Sequence, residues 1–277
     1  MSQLHISLSA EKIGTVFGLP LTNSILSTWL VMFILISFSL FATKDIQLIP
    51  SRIQSIAEIM IESLYNLFSS VVGMVQIKLF FPLLASIFIF VILANWAGLL
   101  PGVGSIGFYK KHAEESPINF VQSETHNNTE KIVTTEEIKE TETKPEFIPL
   151  FRGATADLNT TLSLALISVI SIQYFGVKTL GYRYFKKFIN LSNPIMFGVG
   201  LLEIVSEFSR IISFAFRLFG NIFAGEVLLT VIAFLMPLFA PLPFIGLELF
   251  VGFIQALIFS MLTAVFLNIA TLAHEEH

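Results

Sequence analysis

Charged side chains lie inside a long apolar stretch of this sequence, where a lipid-facing helix would carry none. Residues 203–226 contain two arginines and three glutamates among Ile, Phe, Leu and Val. Placing one ionisable side chain in the middle of a membrane costs about 2.5 to 3.5 kcal/mol on insertion scales, so such residues usually serve transport or pair with one another. The residue types predict the transfer of protons or other ions through an apolar barrier.

Polar residues of this stretch share one face of the predicted helix. At 100° per residue they fall within about 80° of arc, and they are Glu203, Glu207, Arg210, Arg217 and Asn221. Glu226 falls well off this face. Glu207 and Arg210 are i,i+3 neighbours, which favours a local structural pair. Arg217 has no carboxylate three or four residues away on either side, so its partner must come from another helix or another chain.

A second polar line follows on the next apolar segment. Glu226 and Glu248 flank a proline-punctuated turn at 237–243, which predicts that both approach the same membrane surface. Glu248 and Gln255 are seven residues apart and share a helix face, with Gly252 between them. A polar line that starts at the surface and stops partway down has the outline of an aqueous half-channel. The alternative is that one or both glutamates reach the water interface and cap their helices.

The composition is that of a membrane protein. Of 277 residues, 54% are hydrophobic and 13% are charged, against about 25% charged in soluble domains. The net charge of −4 is local, since residues 101–150 hold five lysines against nine glutamates. The sequence has no cysteine, no P-loop and no general basic face, which excludes cysteine metal sites and argues against direct ATP or nucleic-acid binding. We expect no cofactor and no metal.

Five apolar segments are long enough to cross a hydrocarbon core of about 30 Å as helices. They span about 24–43, 79–100, 158–177, 195–236 and 244–272. Apolar residues at helical spacing in 52–72, interleaved with charges, predict an amphipathic helix on the membrane surface. The predicted fold is an all-α membrane protein with five transmembrane helices and one amphipathic surface helix, in a single integral membrane domain over 1–277. The fourth segment would measure roughly 60 Å as one helix, so we expect the last two helices to form a strongly inclined hairpin.

The segments between the spans set the predicted topology. Residues 1–22 are expected to form a surface segment, and the acidic stretch 103–149 cannot bury enough apolar surface to fold alone, which predicts a mobile loop. Short basic loops follow the first and third spans. By the positive-inside rule these loops and the carboxyl terminus are cytoplasmic, while the amino terminus and the 103–149 loop are outside.

The stretch at 213–226, SFAFRLFGNIFAGE, resembles the signature of subunit a of the F-type rotary ATP synthase. The resemblance also includes NWAGLLPG at 95–102, ADLNTTLSLAL at 156–166 and the glutamine-containing last helix, so it covers nearly the whole membrane portion. It implies a non-catalytic stator subunit that conducts protons in a bacterial-type cytoplasmic (inner) membrane. The implied partners are the c-ring, the peripheral-stalk subunit b and the lipid bilayer.

The resemblance also implies a role for each matching residue. Arg217 matches the essential arginine, which faces the c-ring carboxylates and prevents a proton short-circuit between two offset half-channels. The positions associated with the outer half-channel are Asn221, Glu226, Glu248 and Gln255. Glu203 and Ser213 match the cytoplasmic half-channel, and Asp157 matches an acidic position in the outer loop.

The sequence departs from the family pattern in several places. Many relatives carry a histidine at one of the positions matched by Glu226 and Glu248, whereas this chain has glutamate at both. Gly98 stands where some relatives have a carboxylate, and Glu207 is an addition. The residues leave open whether the coupling ion is a proton or sodium. They also leave open two other classes: an autonomous ion channel, and a membrane scaffold whose charges are structural pairs.

Overall fold

The computed structural model describes residues 10–16, 18–44, 46–104, 106–110, 146–188, 194–236 and 239–272. Six α-helices dominate these residues, and five of the six are long and apolar enough to cross a membrane. The remaining helix is the predicted amphipathic one. The prediction of an all-α membrane protein with five spans and one further helix is therefore confirmed.

The helices follow the apolar segments to within a few residues. They are α1 (Asn23–Thr43), α2 (Arg52–Val72), α3 (Ile77–Ala97), α4 (Leu158–Leu180), α5 (Pro194–Leu235) and α6 (Pro241–Thr271). Two 3₁₀-helices, Ala154–Ala156 and Gly181–Lys187, lie before and after α4. The described strands are short: β1 (Lys12–Val16), β2 (Leu19–Thr22), β3 (Pro101–Gly104), β4 (Gly107–Lys110) and β5 (Glu146–Pro149).

The helix α2 buries only one of its sides. Ser51 caps its first turn, since the serine Oγ accepts a hydrogen bond of 3.4 Å from the Gln54 N–H. Leu64, Phe68 and Val72 are buried in the core that α2 shares with α3 and α6. The predicted amphipathic helix is confirmed, and its second half is tied into the bundle. That it lies on the membrane surface stays a prediction.

The core lies where α3, α4, α5 and α6 meet. The helix α6 is central because it packs against α2, α3, α4 and α5. Each of the four main helices contributes fully buried apolar side chains, among them Leu84, Ile172, Leu218, Phe259 and Leu267. The helix α1 is different: Asn23, Ser24 and Ser27 are buried in its first turns, and its later apolar side chains are mostly exposed. Exposed apolar surface of this kind suits lipid or another membrane helix.

The segments outside the helices contain paired strands that the sequence analysis did not predict. β1 and β2 form an antiparallel hairpin within the expected surface segment 1–22, and Gly18 at its turn has a left-handed φ of 81°. β4 and β5 also pair antiparallel, near the two ends of the acidic stretch 103–149. Residues 111–145 of that stretch lie outside the described residues, so its mobility stays a prediction.

The helix α5 runs without a break for 42 residues, a length of about 63 Å. Near its start, Gly200 lets the helix pass the backbone carbonyl of Phe188, which an added Cβ would strike. Pro241 lies at the start of α6, where a proline's missing N–H costs nothing. The length of α5 is about twice the thickness of a hydrocarbon core, which favours the inclined hairpin that the sequence predicts.

Candidate functional site

Two polar clusters lie towards opposite ends of α5, and Arg217 lies between them. We call the end of the bundle that holds residues 152–157 and the start of α6 the loop end. We call the end that holds Gly181–Lys187 and the start of α5 the basic end. The helix α5 begins at the basic end and finishes at the loop end.

Arg217 lies on the exposed side of α5. The next two residues, Leu218 and Phe219, are buried in the bundle, whereas Arg217 is exposed, as is Ser213 one turn before it. Among the residues that the structure describes, no hydrogen bond or ion pair holds the Arg217 guanidinium. An exposed arginine in a membrane-spanning helix needs a polar partner from another chain or a path for its side chain to reach water.

At the basic end, charged residues of α5 form a network with a lysine. Arg210 Nη1 lies 2.7 Å from Glu207 Oε2, so the i,i+3 pair predicted from the sequence is confirmed. Lys187 Nζ lies 2.6 Å from Glu203 Oε1 and 4.0 Å from Glu207 Oε1. The Arg210 guanidinium also lies 3.9 Å from the centroid of the Phe266 ring. Glu203 is therefore paired with a residue of the preceding 3₁₀-helix, which the sequence analysis did not anticipate.

A cavity of about 170 Å³ lies beside this network, and both Gln173 of α4 and Glu207 line it. The Tyr184 hydroxyl donates a hydrogen bond of 2.6 Å to Gln173 Oε1. Gln173 Nε2 and Glu207 Oε1 are both buried and have no hydrogen-bond partner within the described part of the chain. The other five lining residues are apolar, so the Gln173 amide and the Glu207 carboxylate are the side-chain groups of this lining that can bond to a water.

At the loop end, Arg152 meets Glu226. Arg152 Nε lies 3.2 Å from Oε1 and 3.3 Å from Oε2 of the glutamate. The arginine side chain is 7% exposed and the glutamate side chain 41% exposed, so the guanidinium is buried and the carboxylate borders the surface. Arg152 is not among the candidate residues predicted from the sequence. The signal that could have found it is a lone arginine between the acidic stretch and α4, in a loop that the positive-inside rule expects to be poor in basic residues.

The segment 152–157 is held on both sides, which fixes the position of Arg152. The Arg152 backbone N–H donates a hydrogen bond of 3.2 Å to Ser27 Oγ of α1. Thr155 Oγ1 donates one of 2.8 Å to Asn95 Oδ1 of α3, and both of these residues are buried. Contacts with α1 and α3 therefore fix the backbone from which the buried Arg152 side chain extends.

Asp157 and Gly98 complete this attachment. Asp157 is buried and caps α4: its Oδ1 accepts a hydrogen bond of 3.0 Å from the Asn159 N–H, and its Oδ2 accepts one of 2.6 Å from Ser24 Oγ. Gly98 lies against Gly153, whose Cα would be 3.1 Å from a Cβ added at residue 98. The glycine therefore makes room for the segment. The contacts of Asp157 are those of a structural anchor, and its family-derived role stays a prediction.

Glu248 and Gln255 lie on one buried face of α6, as their spacing predicts. They are 9% and 6% exposed, and Gly252 between them is buried as well. The Gly252 carbonyl oxygen accepts a hydrogen bond of 3.0 Å from Asn95 Nδ2. Gln255 Nε2 has no hydrogen-bond partner among the described residues, and Glu248 has neither an ion pair nor a hydrogen bond with any of them. The Gln255 amide can therefore donate a hydrogen bond to water, and the Glu248 carboxylate can accept one.

Glu226 on α5 and Glu248 on α6 lie at the same end of the bundle. The Glu248 side-chain oxygens lie against Gly225, where an added Cβ would collide with them. Because Glu226 directly follows Gly225, both carboxyl groups belong to the loop end. Asn221 is half-buried and lies five residues before Glu226 and about one helical turn after Arg217.

These features define a class of protein. The chain is a multi-pass membrane protein whose carboxyl and amide side chains form two separate clusters on either side of one exposed arginine. Within the described ranges, no three His, Asp or Glu side chains are grouped to hold a metal ion. Buried carboxyl and amide groups in an otherwise apolar bundle suit the binding and movement of protons.

Comparisons with known proteins identify the family. The chain matches the family model described as ATP synthase A chain over residues 25–268. It is similar to the ATP synthase subunit a of Gloeobacter violaceus, with 32% identity over 255 residues that cover 92% of this chain and 86% of the relative. The chain belongs to the ATP synthase A chain family, and the resemblance drawn from its sequence is confirmed. As a member of that family it is a non-catalytic component of the membrane sector.

Proposed function

We propose that this chain is the proton-conducting stator subunit of a rotary ATP synthase and supplies two offset half-channels to the c-ring. Arg217 faces the carboxylates of the ring and prevents protons from passing directly between the half-channels. The observation that carries the proposal is the position of Arg217. It is exposed on α5, no described residue pairs with it, and polar clusters lie on both sides of it along the helix.

The loop-end cluster supports the outer half-channel. Glu248 and Gln255 form a buried polar line on α6, and the carboxylate at its start lies beside α5. Glu226 borders the surface and Asn221 lies between it and Arg217. A proton from outside would pass these carboxyl and amide groups before it reaches the ring, with water filling the gaps between them.

The basic-end cluster supports the cytoplasmic half-channel. Glu203 is partly exposed and paired with Lys187, which places a carboxylate at the start of α5. Ser213 is exposed one turn from Arg217 and shares its side of the helix. A proton that leaves the ring beside Arg217 would pass Ser213 and Glu203 on its way to the cytoplasm.

Rotation of the c-ring follows because a neutral and an ionised ring carboxyl group differ in the free energy of facing lipid. A neutral ring carboxyl can face lipid, whereas an ionised one should not, because its desolvation is costly. Arg217 attracts the ionised form of each arriving carboxylate and favours the release of its proton towards Glu203. A potential of 100 mV supplies about 2.3 kcal/mol per charge, which is lost if protons bypass the ring.

The proposed function also implies a membrane, an orientation in it and further partners for the chain. The chain lies in a bacterial-type inner membrane with its amino terminus outside and its carboxyl terminus in the cytoplasm. Lipid covers the exposed apolar residues of α1 and of the other spans. The peripheral-stalk subunit b is expected from the family, and no contact within this chain identifies its docking site.

The test of the proposal is an Arg217→Ala variant in membrane vesicles that contain the complete enzyme. We expect proton-driven ATP synthesis to be abolished, because nothing then holds the ionised ring carboxylate. Arg183→Ala, at an exposed arginine of the basic end, is the matched control and should retain synthesis. If Arg217→Ala left synthesis intact, the proposal would be wrong.

Two further experiments distinguish the proposed stator from an autonomous ion channel and from a membrane scaffold. An autonomous ion channel would conduct protons as the isolated chain in liposomes, whereas the proposed stator conducts only when the ring is present. A membrane scaffold would keep its function when Arg217 and Glu226 are replaced together by apolar residues. Either result would contradict the proposed function.

A further inference from the structure

We propose that the cavity between α4 and α5 at the basic end is a binding site for a small neutral amphiphile, a molecule with a short apolar body and one hydroxyl group. The cavity has a volume of about 170 Å³. A cavity of about 150 Å³ with apolar walls holds one benzene molecule, so this volume suits an alcohol of similar size. The inference goes beyond the proposed function and does not rest on it.

The lining of the cavity has an apolar part and a polar part. The polar part consists of Gln173 and Glu207. The apolar part consists of Val169, Phe188, Ile204, Phe208 and Ile211. A water molecule would face apolar walls on most sides, whereas an apolar chain would leave the amide and the carboxylate unbonded. A molecule with both an apolar body and a polar group fits the whole lining.

The polar part offers one hydrogen-bond donor and one acceptor. Gln173 Nε2 and Glu207 Oε1 are buried, and neither has a hydrogen-bond partner among the residues that the structure describes. Contacts of their other atoms orient both groups, since Gln173 Oε1 accepts from the Tyr184 hydroxyl and Glu207 Oε2 accepts from Arg210 Nη1. A hydroxyl group is both a donor and an acceptor. It can therefore donate to the carboxylate oxygen and accept from the amide nitrogen.

The charges beside the cavity favour a neutral head group. Glu207 Oε2 lies 2.7 Å from Arg210 Nη1, and Glu207 Oε1 lies 4.0 Å from Lys187 Nζ, which is beyond hydrogen-bond distance. Glu203 pairs with the same lysine. Within the described part of the chain, this network therefore holds two carboxylates and two cations. An added ammonium or carboxylate group would be a buried charge without balance, which is costly. A hydroxyl group adds no charge.

The cavity opens on the side of α5 that faces away from Arg217. Phe208 lines the cavity and is 65% exposed. Phe208 and Arg217 are nine residues apart, which places them about 180° apart around the helix axis. An exposed phenylalanine on a membrane-spanning helix suits contact with lipid, and an amphiphile partitions into lipid from water because burial of its apolar body is favourable. The ligand therefore enters from the membrane.

The test uses a diazirine derivative of hexan-1-ol in membrane vesicles that contain the complete enzyme. Illumination attaches the bound probe to residues within its reach, and mass spectrometry of the digested chain locates them. We expect labels within 204–211, and we expect unmodified hexan-1-ol to displace the probe. Hexane has the same chain without the hydroxyl group. It should compete about tenfold more weakly or worse, because a hydrogen bond to a charged group is worth at least about that factor in affinity.

Two variants test the two parts of the lining. Val169→Phe fills the apolar part and should abolish the label within 204–211. Ile170→Phe is the matched control, because it adds a ring on the exposed side of α4, and it should keep the label. Gln173→Leu keeps the approximate size of the side chain but removes the donor, so labelling should fall about fivefold. All variants are compared at equal amounts of assembled complex.

Three results would overturn the proposal. Labels within 204–211 that hexan-1-ol does not displace show that the probe reacts there without a site. Equal competition by hexane indicates a cavity for an apolar chain, such as that of a lipid. A parent chain without labels within 204–211 indicates a cavity that holds only water or stays dry. If Val169→Phe fails to assemble, the competition between hexan-1-ol and hexane in the parent decides alone.

Discussion

The Glu248 carboxylate lies directly against Gly225, so α6 meets α5 at a residue that has no side chain. A Cβ at residue 225 would collide with both side-chain oxygens of the glutamate. Within the described part of the chain, packing alone fixes this carboxyl group, because no ion pair or hydrogen bond holds it. Its position is therefore sensitive to changes in the neighbouring helix.

A Gly225→Ala variant should impair proton delivery more than stability. The added methyl group displaces the Glu248 carboxylate, and a functional group misplaced by about 1 Å can lose up to about a hundredfold in rate. We expect proton-driven ATP synthesis per complex to fall about tenfold, while the free energy of unfolding changes by no more than about 1 kcal/mol. The measurements are synthesis in vesicles and heat resistance of the solubilised complex.

Gly246→Ala is the control for this change, because an added Cβ there meets nothing within 4 Å. It should leave the rate of synthesis unchanged. Glu248→Asp in the Gly225→Ala background shortens the acid by one methylene and should restore part of the rate. If Gly246→Ala and Gly225→Ala behave alike, the contact between Gly225 and Glu248 has no role in transport.

The helices themselves were predictable from the sequence. Each span is a run of about 20 or more apolar residues, which only a helix can carry through a bilayer. The amphipathic pattern of α2 and the pair between Glu207 and Arg210 were predictable for the same reason, since both depend on spacing within one helix. The shared face of Glu248 and Gln255 also follows from spacing alone.

Contacts between elements were not predictable in this way. Arg152 lies 74 residues before Glu226, and nothing in the local pattern of either segment indicates their ion pair. The bond between Asp157 and Ser24 joins residues 133 positions apart, and it depends on where α1 packs. The partner of Glu203 was missed because the 3₁₀-helix Gly181–Lys187 carries Lys187 back over the start of α5.

Two substitutions in the basic-end network should have different effects, one mainly on stability and the other mainly on proton transport. Glu207 is 12% exposed and binds Arg210, so Glu207→Gln removes the charge of a nearly buried pair. We expect it to destabilise the protein by about 2 to 4 kcal/mol and to leave proton-driven synthesis per assembled complex nearly unchanged. The temperature at which the subunit aggregates from the solubilised complex measures the loss.

Glu203→Gln is the matched comparison, since Glu203 pairs with the same lysine but is more exposed. Its effect on stability should be about 0 to 1 kcal/mol, as for a surface pair, and its effect on synthesis should be the larger of the two. A reversed pattern, with Glu207→Gln slow and Glu203→Gln unstable, would show that Glu207 conducts protons.

Ser24→Ala should weaken the attachment of α1 to the loop end. It removes the hydroxyl that donates to Asp157 Oδ2 at 2.6 Å and leaves a buried carboxylate oxygen without that partner. The expected cost is about 1 to 3 kcal/mol, seen as a lower aggregation temperature. Ser163→Ala is the control, because its exposed hydroxyl bonds, among the residues that the structure describes, only to the Asn159 carbonyl one turn before it. Equal effects of the two variants would contradict a tether between Ser24 and Asp157.

Because α5 is one unbroken helix, it fixes the distances between the charged side chains that it carries. Glu203 and Glu226 are carried on one rigid rod about 35 Å apart along its axis, with Arg217 about 21 Å from the first and 14 Å from the second. An inserted or deleted residue between them would rotate one end by about 100° relative to the other. Under the proposed function, the residue count of this single helix sets the rotation between the side chains at the uptake end and those at the release end. We expect this count to tolerate substitution far better than any change in length.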